Sequence, residues 1–221
     1  MMPKGLIIFD LDGTVNDSSP GILYCYRKTG ETYGINDLSD DFLRTALTGP
    51  FEINISKVLG LKEDQIMEAV KRYIVFYTAE GRFMCELFDG MAETLDQLRS
   101  RGYTIGMATM MVDEYAKDTL KRYGILDRFD TIHGASLEVT YCKEDLVRMC
   151  LEDTGMSPEE SILVGDGPDD HRAAKESGVG FIAARYGYGI DGEYCRQHSI
   201  KGIDRPLDLI RILDSSDDPE S

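Results

Sequence analysis

LIIFDLDGTVNDSSPG, residues 6–21, sets two acids two positions apart directly behind four consecutive apolar residues. A run that is apolar throughout, rather than alternating, reads as a strand buried on both faces, as in the interior of a parallel sheet. Side chains alternate along a strand, so Asp10 and Asp12 leave its C-terminal tip on one side and Leu11 turns to the other. Gly13 permits a tight turn, and Ser18, Ser19 and Pro20 have the chemistry of a helix cap and first turn. Two carboxylates a few ångströms apart repel, at a cost unless a cation or a shared proton compensates. A polar turn at a strand end is the plainer reading of this stretch by itself; a paired carboxylate at a strand tip is also a metal or catalytic candidate.

Outward from this strand, the chain of 221 residues suits one large domain or one domain with a substantial insert. Residues 15–86 offer no strand pattern. Ile22, Tyr26, Thr29 and Tyr33 share one helical face, SDDFLRTAL opens with a capping serine, PFEINISKVLG runs from Pro50 to Gly60, and Ile66, Ala69, Val70, Tyr73 and Tyr77 recur at helical spacing. From ELFDGM at residue 86 the βα alternation resumes: YTIGMAT, FDTIHGA, SILVGDG and VGFIAAR read as strands, each set between helical segments. The expected architecture is an α/β fold, a five-stranded parallel sheet of Rossmann-like type over residues 1–14 and 87–213, with an all-helical insert over 15–86. Residues 214–221, DSSDDPES, are acidic, lack apolar anchors and are expected to be a solvated, disordered tail.

Forty acids against 24 Lys plus Arg give a formal charge of −16, which argues against nucleic acid and anionic membrane surfaces as partners. No segment approaches the roughly 18 apolar residues of a membrane span, and the strand follows the N-terminus too closely for a signal peptide. The five cysteines, an odd number without a CxxC pair, read as reduced thiols of a cytoplasmic protein.

Ligands of parallel α/β sheets bind beyond the C-terminal strand ends, so the polar residues there are expected to converge. The first strand ends in Asp10 and Asp12, the second in Thr109, and the fourth in GDGPDD with Asp166 and Asp170; Lys143 opens the helix after the third. Carboxylates of this kind suit Mg2+, which prefers octahedral oxygen ligands including a substrate phosphate. One carboxylate can attack phosphorus while a second moves the proton.

FDLDGT, the threonine of GMAT, Lys143 and VGDGPDD together resemble the four motifs of the haloacid dehalogenase superfamily, over nearly the whole chain. The insert resembles the helical cap of its phosphoglycolate phosphatase-like branch, and LTGPF and ARYGYG resemble the subgroup of phosphoglycolate phosphatases and 5′-nucleotidases. The resemblance implies Asp10 as nucleophile, Asp12 as acid and base, Thr109 and Lys143 as phosphoryl-binding groups, and magnesium held by Asp10, the Asp12 carbonyl and Asp166, with Asp170 in support. It implies a phosphatase of small phosphorylated metabolites acting as monomer or homodimer, most like phosphoglycolate phosphatase, with a 5′-nucleotidase as the alternative. A lysine and proline often follow the hydroxyl residue of the second motif in that subgroup; here TMMV does, and Met110 and Met111 are expected to be packing residues. The family's dehalogenases lack the acid at Asp12. Its mutases carry a cap histidine where this chain has Ile22, which disfavours a phosphomutase. A phosphoryl transferase and a non-catalytic binder of a basic partner complete the alternatives. Arg27, Lys28, Arg44 and Arg82 are candidates to receive a carboxylate of the substrate, and Tyr24, Tyr26, Phe51 and Phe83 to stack on a base.

Overall fold

The structure, a computed structural model, describes residues 4–216. They divide into two compact units, one formed by the chain up to Asn16 and from Leu87 onward, the other by Asp17–Glu86. In chain order the strands are β1 (Leu6–Phe9), β2 (Asn16–Asp17), β3 (Glu86–Leu87), β4 (Thr104–Val112), β5 (Thr131–Ala135), β6 (Ser161–Gly165), β7 (Gly180–Ala184) and β8 (Lys201–Ile203).

The first unit is built on a six-stranded sheet in the order β5-β4-β1-β6-β7-β8, parallel at every pairing. The apolar run Leu6–Phe9 takes the centre, flanked in register by Thr104–Met107 and Ser161–Val164. All four of its side chains are buried, as a strand covered on both faces requires. Leu6 and Ile8 pack with Leu146, Val147 and Cys150 of one helix and Ala173 and Ala174 of another. Because strand order reverses direction around β1, the strand-end crevice of the sheet opens where Asp10 emerges.

The sheet has a sixth strand where five were expected. Among the described residues, Lys201-Gly202-Ile203 pairs only with β7, and it has no apolar run to announce it, since an edge strand buries little. Asp214–Ser216 also differ from the expected tail: they complete a helix of Asp208–Ser216, anchored by buried Leu209, Ile210 and Leu213. The rest of the expected tail, residues 217–221, lies outside the described residues.

The second unit carries helices α1 (Ser19–Glu31), α2 (Asp40–Arg44), α3 (Phe51–Leu59) and α4 (Glu63–Ala79), and α5 (Met91–Ser100) and α6 (Asp113–Arg122) follow in the first unit. The core of the second unit gathers Leu23, Tyr26, Leu43, Ile55, Leu59, Val70 and Tyr73. Tyr26, Phe51 and Tyr73 meet ring to ring, with centroids 4.6–6.3 Å apart. The strandless reading of residues 15–86 misses β2 and the first residue of β3, which pair as a two-stranded sheet of two residues each, too short to leave a periodic signal. Helix α1 starts where the sequence places it, with Ser18 at the N-cap and Ser19 and Pro20 in the first turn; the Ser18 side chain makes no cap bond, and the Ser19 N–H donates instead to Asp17 Oδ1 at 2.9 Å. Among the described residues, no helix is long and apolar enough to cross a membrane.

Candidate active site

In the first unit the ends of β1 and β6 and the starts of α7 (Lys143–Thr154) and α8 (Pro168–Ser177) bring four charged side chains together. Asp10 continues the ladder one residue past β1, its N–H donating to Val164 O at 2.9 Å. Asp166 follows β6 directly, and Asp170 sits in the first turn of α8. There its Oδ2 accepts from the Gly167 N–H at 2.9 Å, a favourable place for an anion at a helix N-terminus. One carboxylate oxygen from each of Asp10, Asp166 and Asp170 lies within 4.8 Å of the others, and all three residues are buried.

Lys143, itself buried, donates to Asp10 Oδ1 and to Asp170 Oδ1, the latter at 2.9 Å. A helix N-terminus is a poor place for a cation. The start of α7 is fixed instead by Asp145, whose Oδ2 accepts the Cys142 N–H at 3.0 Å, and that turn aims the lysine inward. Burial alone would favour the neutral amine, but Asp10 and Asp170 outweigh it and raise the Lys143 pKa.

One ammonium does not balance three carboxylates. Burial pushes Asp10 well above the usual carboxylate range, Lys143 opposing and Asp170 and Asp166 adding to the push. Burial, and then Asp170, raises Asp166 to about 7. Space has been cleared for these acids: a Cβ on Gly13 or Gly187 would overlap Asp166, and one on Gly165 would overlap Asp170. Asp166 is held by the Tyr188 N–H at 2.7 Å and the Thr14 hydroxyl at 3.4 Å, and the Thr14 carbonyl accepts from the Tyr186 hydroxyl at 2.9 Å. Oxygen donors crowded in a buried space with surplus negative charge fit a hard divalent cation such as Mg2+.

Asp12 and Thr109 take different places from the trio. Asp12 is half-buried, its carboxylate outside the three, and it lies in the turn whose backbone bridges Asp12 to Asn16. Its charge reaches the cluster and adds to the rise at Asp166. Thr109 is buried on β4 beside β1, its Oγ1 accepting the Met111 N–H at 3.1 Å. The sequence reading missed the supports Thr14, Tyr186, Gly187 and the Tyr188 N–H; its one sign of them was the Tyr-Gly alternation of ARYGYG. Met110 departs from the packing role expected of it: Met111 turns inward, whereas Met110 is 52% exposed.

Within the helical unit, three of the four cationic candidates are engaged. Arg27 pairs with Asp40, Lys28 with Glu31 at 2.8 Å, and the Arg82 guanidinium lies 4.3 Å from the Phe83 ring centre. Arg44 is exposed. Tyr26 is a core residue rather than a stacking surface.

The family model of haloacid dehalogenase-like hydrolases matches residues 7–184. The chain belongs to this family. It is 34% identical over 185 residues to the tyrosine-protein kinase PtkA of Mycobacterium tuberculosis, covering 83% of this chain and 63% of that protein, so it spans less than two thirds of that relative's length. It is 30% identical over 188 residues to a 5′-nucleotidase of Pseudomonas aeruginosa, covering 85% of each. Identity to a phosphoglycolate phosphatase of Vibrio vulnificus is 27% over 192 residues, 83% of this chain and 84% of that one. A haloacid dehalogenase-like hydrolase from Streptococcus pneumoniae superposes with a TM-score of 0.87 at 30% identity, over 95% of this chain and 98% of that one.

Proposed function

We propose that the chain is a magnesium-dependent phosphatase of small phosphomonoesters that works through an aspartyl phosphate on Asp10. The observation that carries this reading is the buried trio Asp10, Asp166 and Asp170, with Lys143 bound to two of its members. Magnesium would be held by Asp10, the Asp12 carbonyl and Asp166, with Asp170 in support, and when bound it would offset the charge of the phosphoryl oxygens.

Lys143 holds Asp10 in one orientation, and as an ammonium it attracts a phosphoryl oxygen to the same place. An Asp10 oxygen attacks phosphorus, the ester P–O bond breaks, and the departing alkoxide takes the proton carried by Asp12. Asp12, now a carboxylate, takes a proton from a water that attacks the phosphoryl group, and Asp10 is released with inorganic phosphate. The Thr109 hydroxyl donates to a phosphoryl oxygen, a role compatible with the bond it accepts from Met111. In this reading Asp17–Glu86 is the helical cap, and the unpaired cysteines suit a cytoplasmic protein.

The relationship to PtkA favours a second reading, transfer of a phosphoryl group to a tyrosyl hydroxyl. One experiment separates the two. Purified protein with magnesium is given a panel of phosphomonoesters in one arm, and adenosine triphosphate with a tyrosine-containing peptide in the other. Release of inorganic phosphate from monoesters without phosphorylated peptide is the expected result. Phosphopeptide without release from any monoester would replace phosphatase by transferase.

A further inference from the structure

The rim of this site departs from the rest of its own unit in two ways; the other strongly exposed large apolar side chains among the described residues, such as Ile53 and Val75, belong to the helical unit. Three large apolar side chains of the rim face solvent: Met110 at 52%, Leu137 at 83% and Val139 at 49% exposure. Two features of the fold put them there. The pairing of β4 with β5 runs Thr109 against Gly134 and then Val112 against Ala135, so Met110 and Met111 are extra residues in a bulge. Bulges re-aim side chains, and this one turns Met111 in and Met110 out immediately beyond Thr109. The base of the β5 loop is pinned to the same place: the Gly134 N–H donates to Asp113 Oδ1 at 3.1 Å, and a Cβ on Gly134 would strike Asp113 and the Met111 carbonyl. The loop then turns on Ser136, whose Oγ accepts the N–H of Glu138 at 3.0 Å and of Val139 at 3.2 Å, and it leads directly into Lys143. Leu137 and Val139 thus sit on the short segment between β5 and the lysine of the site.

The second departure is the lack of free positive charge. Among the described residues, the connections that follow β1, β4, β5, β6 and β7 before the next helix contain a single cation, Arg185, bonded to Asp204 at 2.6 Å. Lys143 is committed to Asp10 and Asp170. The same connections bring Asp10, Asp12, Asp17, Glu138, Asp166 and Asp191. A second anionic group on a substrate would meet negative potential on these connections, where the one cation, Arg185, is paired with Asp204, whereas an apolar body would cover exposed apolar surface.

We infer that Met110, Leu137 and Val139 form a shelf that receives the alcohol portion of the substrate, and that this alcohol is a bulky apolar or aromatic body without a second anionic group. The inference rests on the phosphatase reading and narrows it away from a two-carbon acid phosphate.

The test compares four esters whose leaving alcohols are similarly basic: benzyl phosphate, a nucleoside 5′-monophosphate, glycerol 3-phosphate and phosphoglycolate. Wild type is expected to show kcat/KM about tenfold or more higher for benzyl phosphate, the nucleotide or both than for phosphoglycolate. Which of the two leads tells a plain ring from a nucleoside. Leu137→Asn and Met110→Gln, both at exposed positions, are expected to raise KM for the favoured ester severalfold more than for glycerol 3-phosphate. A preference for phosphoglycolate, or an equal loss on every ester, overturns the inference while the phosphatase reading stands. If no ester is hydrolysed the phosphatase reading falls, and the shelf is then judged by calorimetry with magnesium. Tighter binding of benzylphosphonate than of phosphonoacetate, weakened by Leu137→Asn, retains it; the reverse order overturns it.

Discussion

Asp166 occupies a space that exists because positions 13 and 187 have no side chain. Gly13 also has φ +82°, so a substitution there is strained twice over, whereas at Gly187 the obstacle is steric alone. Gly187→Ala should therefore push Asp166 out of place. The magnesium concentration for half-maximal activity is expected to rise about 10–100-fold, the usual cost of disturbing a ligand's support; an unchanged requirement would remove Asp166 from the metal set. The same carboxyl predicts a pH effect on metal-free protein. Its pKa stands at about 7 when folded, against 3.8 ordinarily. Between those values the native state binds more protons than the unfolded one, so stability falls as pH rises through the window. In EDTA, the stability of wild type relative to Asp166→Asn is expected to drop from about pH 5 to about pH 8, and magnesium should abolish the drop. Urea titrations at the two pH values measure it, and a difference that rises with pH would contradict the assignment.

Elements with strong local signals were legible in the sequence. The apolar run of β1, the Gly60 stop of α3 and the stripe Ile66, Ala69, Val70 and Tyr73 on α4 each follow from periodicity or chain punctuation. What was missed depended on tertiary structure. β8 is held by β7 on one side alone, and Arg185 lies across Gly202, a contact that no pattern within Lys201–Ile203 announces. The carboxylate positions were legible because strand tips and helix starts fix them. Their glycine clearances were not, because Gly13, Gly165 and Gly187 belong to three different segments. In the helical unit, Gly21 and Gly81 make a similar unannounced contact: a Cβ on Gly21 would overlap the Gly81 carbonyl oxygen, and one on Gly81 would overlap Cys25 Sγ. Gly21→Ala is therefore expected to lower stability by about 1–3 kcal/mol, the ordinary cost of overpacking, read by denaturant titration with far-UV circular dichroism. An alanine variant as stable as wild type would show that α1 and the Gly81–Phe83 turn do not pack so closely.

At the scale of the whole molecule, a chain of charge −16 places its acids in two ways. Many of the exposed ones are paired along the surface, such as Asp96 with Arg128 and Asp169 with Arg172, and such pairs contribute little each. The trio at the sheet end is buried with a single ammonium, so the folded state should gain from a divalent cation far more than surface screening provides. At a concentration of about 100 times its Kd, a ligand specific for the folded state stabilises by about 2.7 kcal/mol. For a chain of this size that is a rise in Tm of roughly 5–11 °C. Wild type should show such a rise with magnesium, and Asp166→Asn little or none; equal rises in both would place the cation elsewhere.

The most direct test of the chemistry assigned to Asp10 is to look for the phosphoryl group on it. Asp12→Asn keeps the nucleophile and removes both the proton for the leaving group and the base that activates water. With 4-nitrophenyl phosphate, whose acidic leaving group departs without that proton, the aspartyl phosphate should accumulate when this variant is mixed with magnesium and the ester, then quenched in acid. Mass spectrometry is expected to find one added phosphoryl group on the peptide containing Asp10, labile to hydroxylamine and absent from the Asp10→Asn, Asp12→Asn double variant. An adduct on another residue, or phosphate release that continues undiminished in Asp10→Asn, would contradict the account.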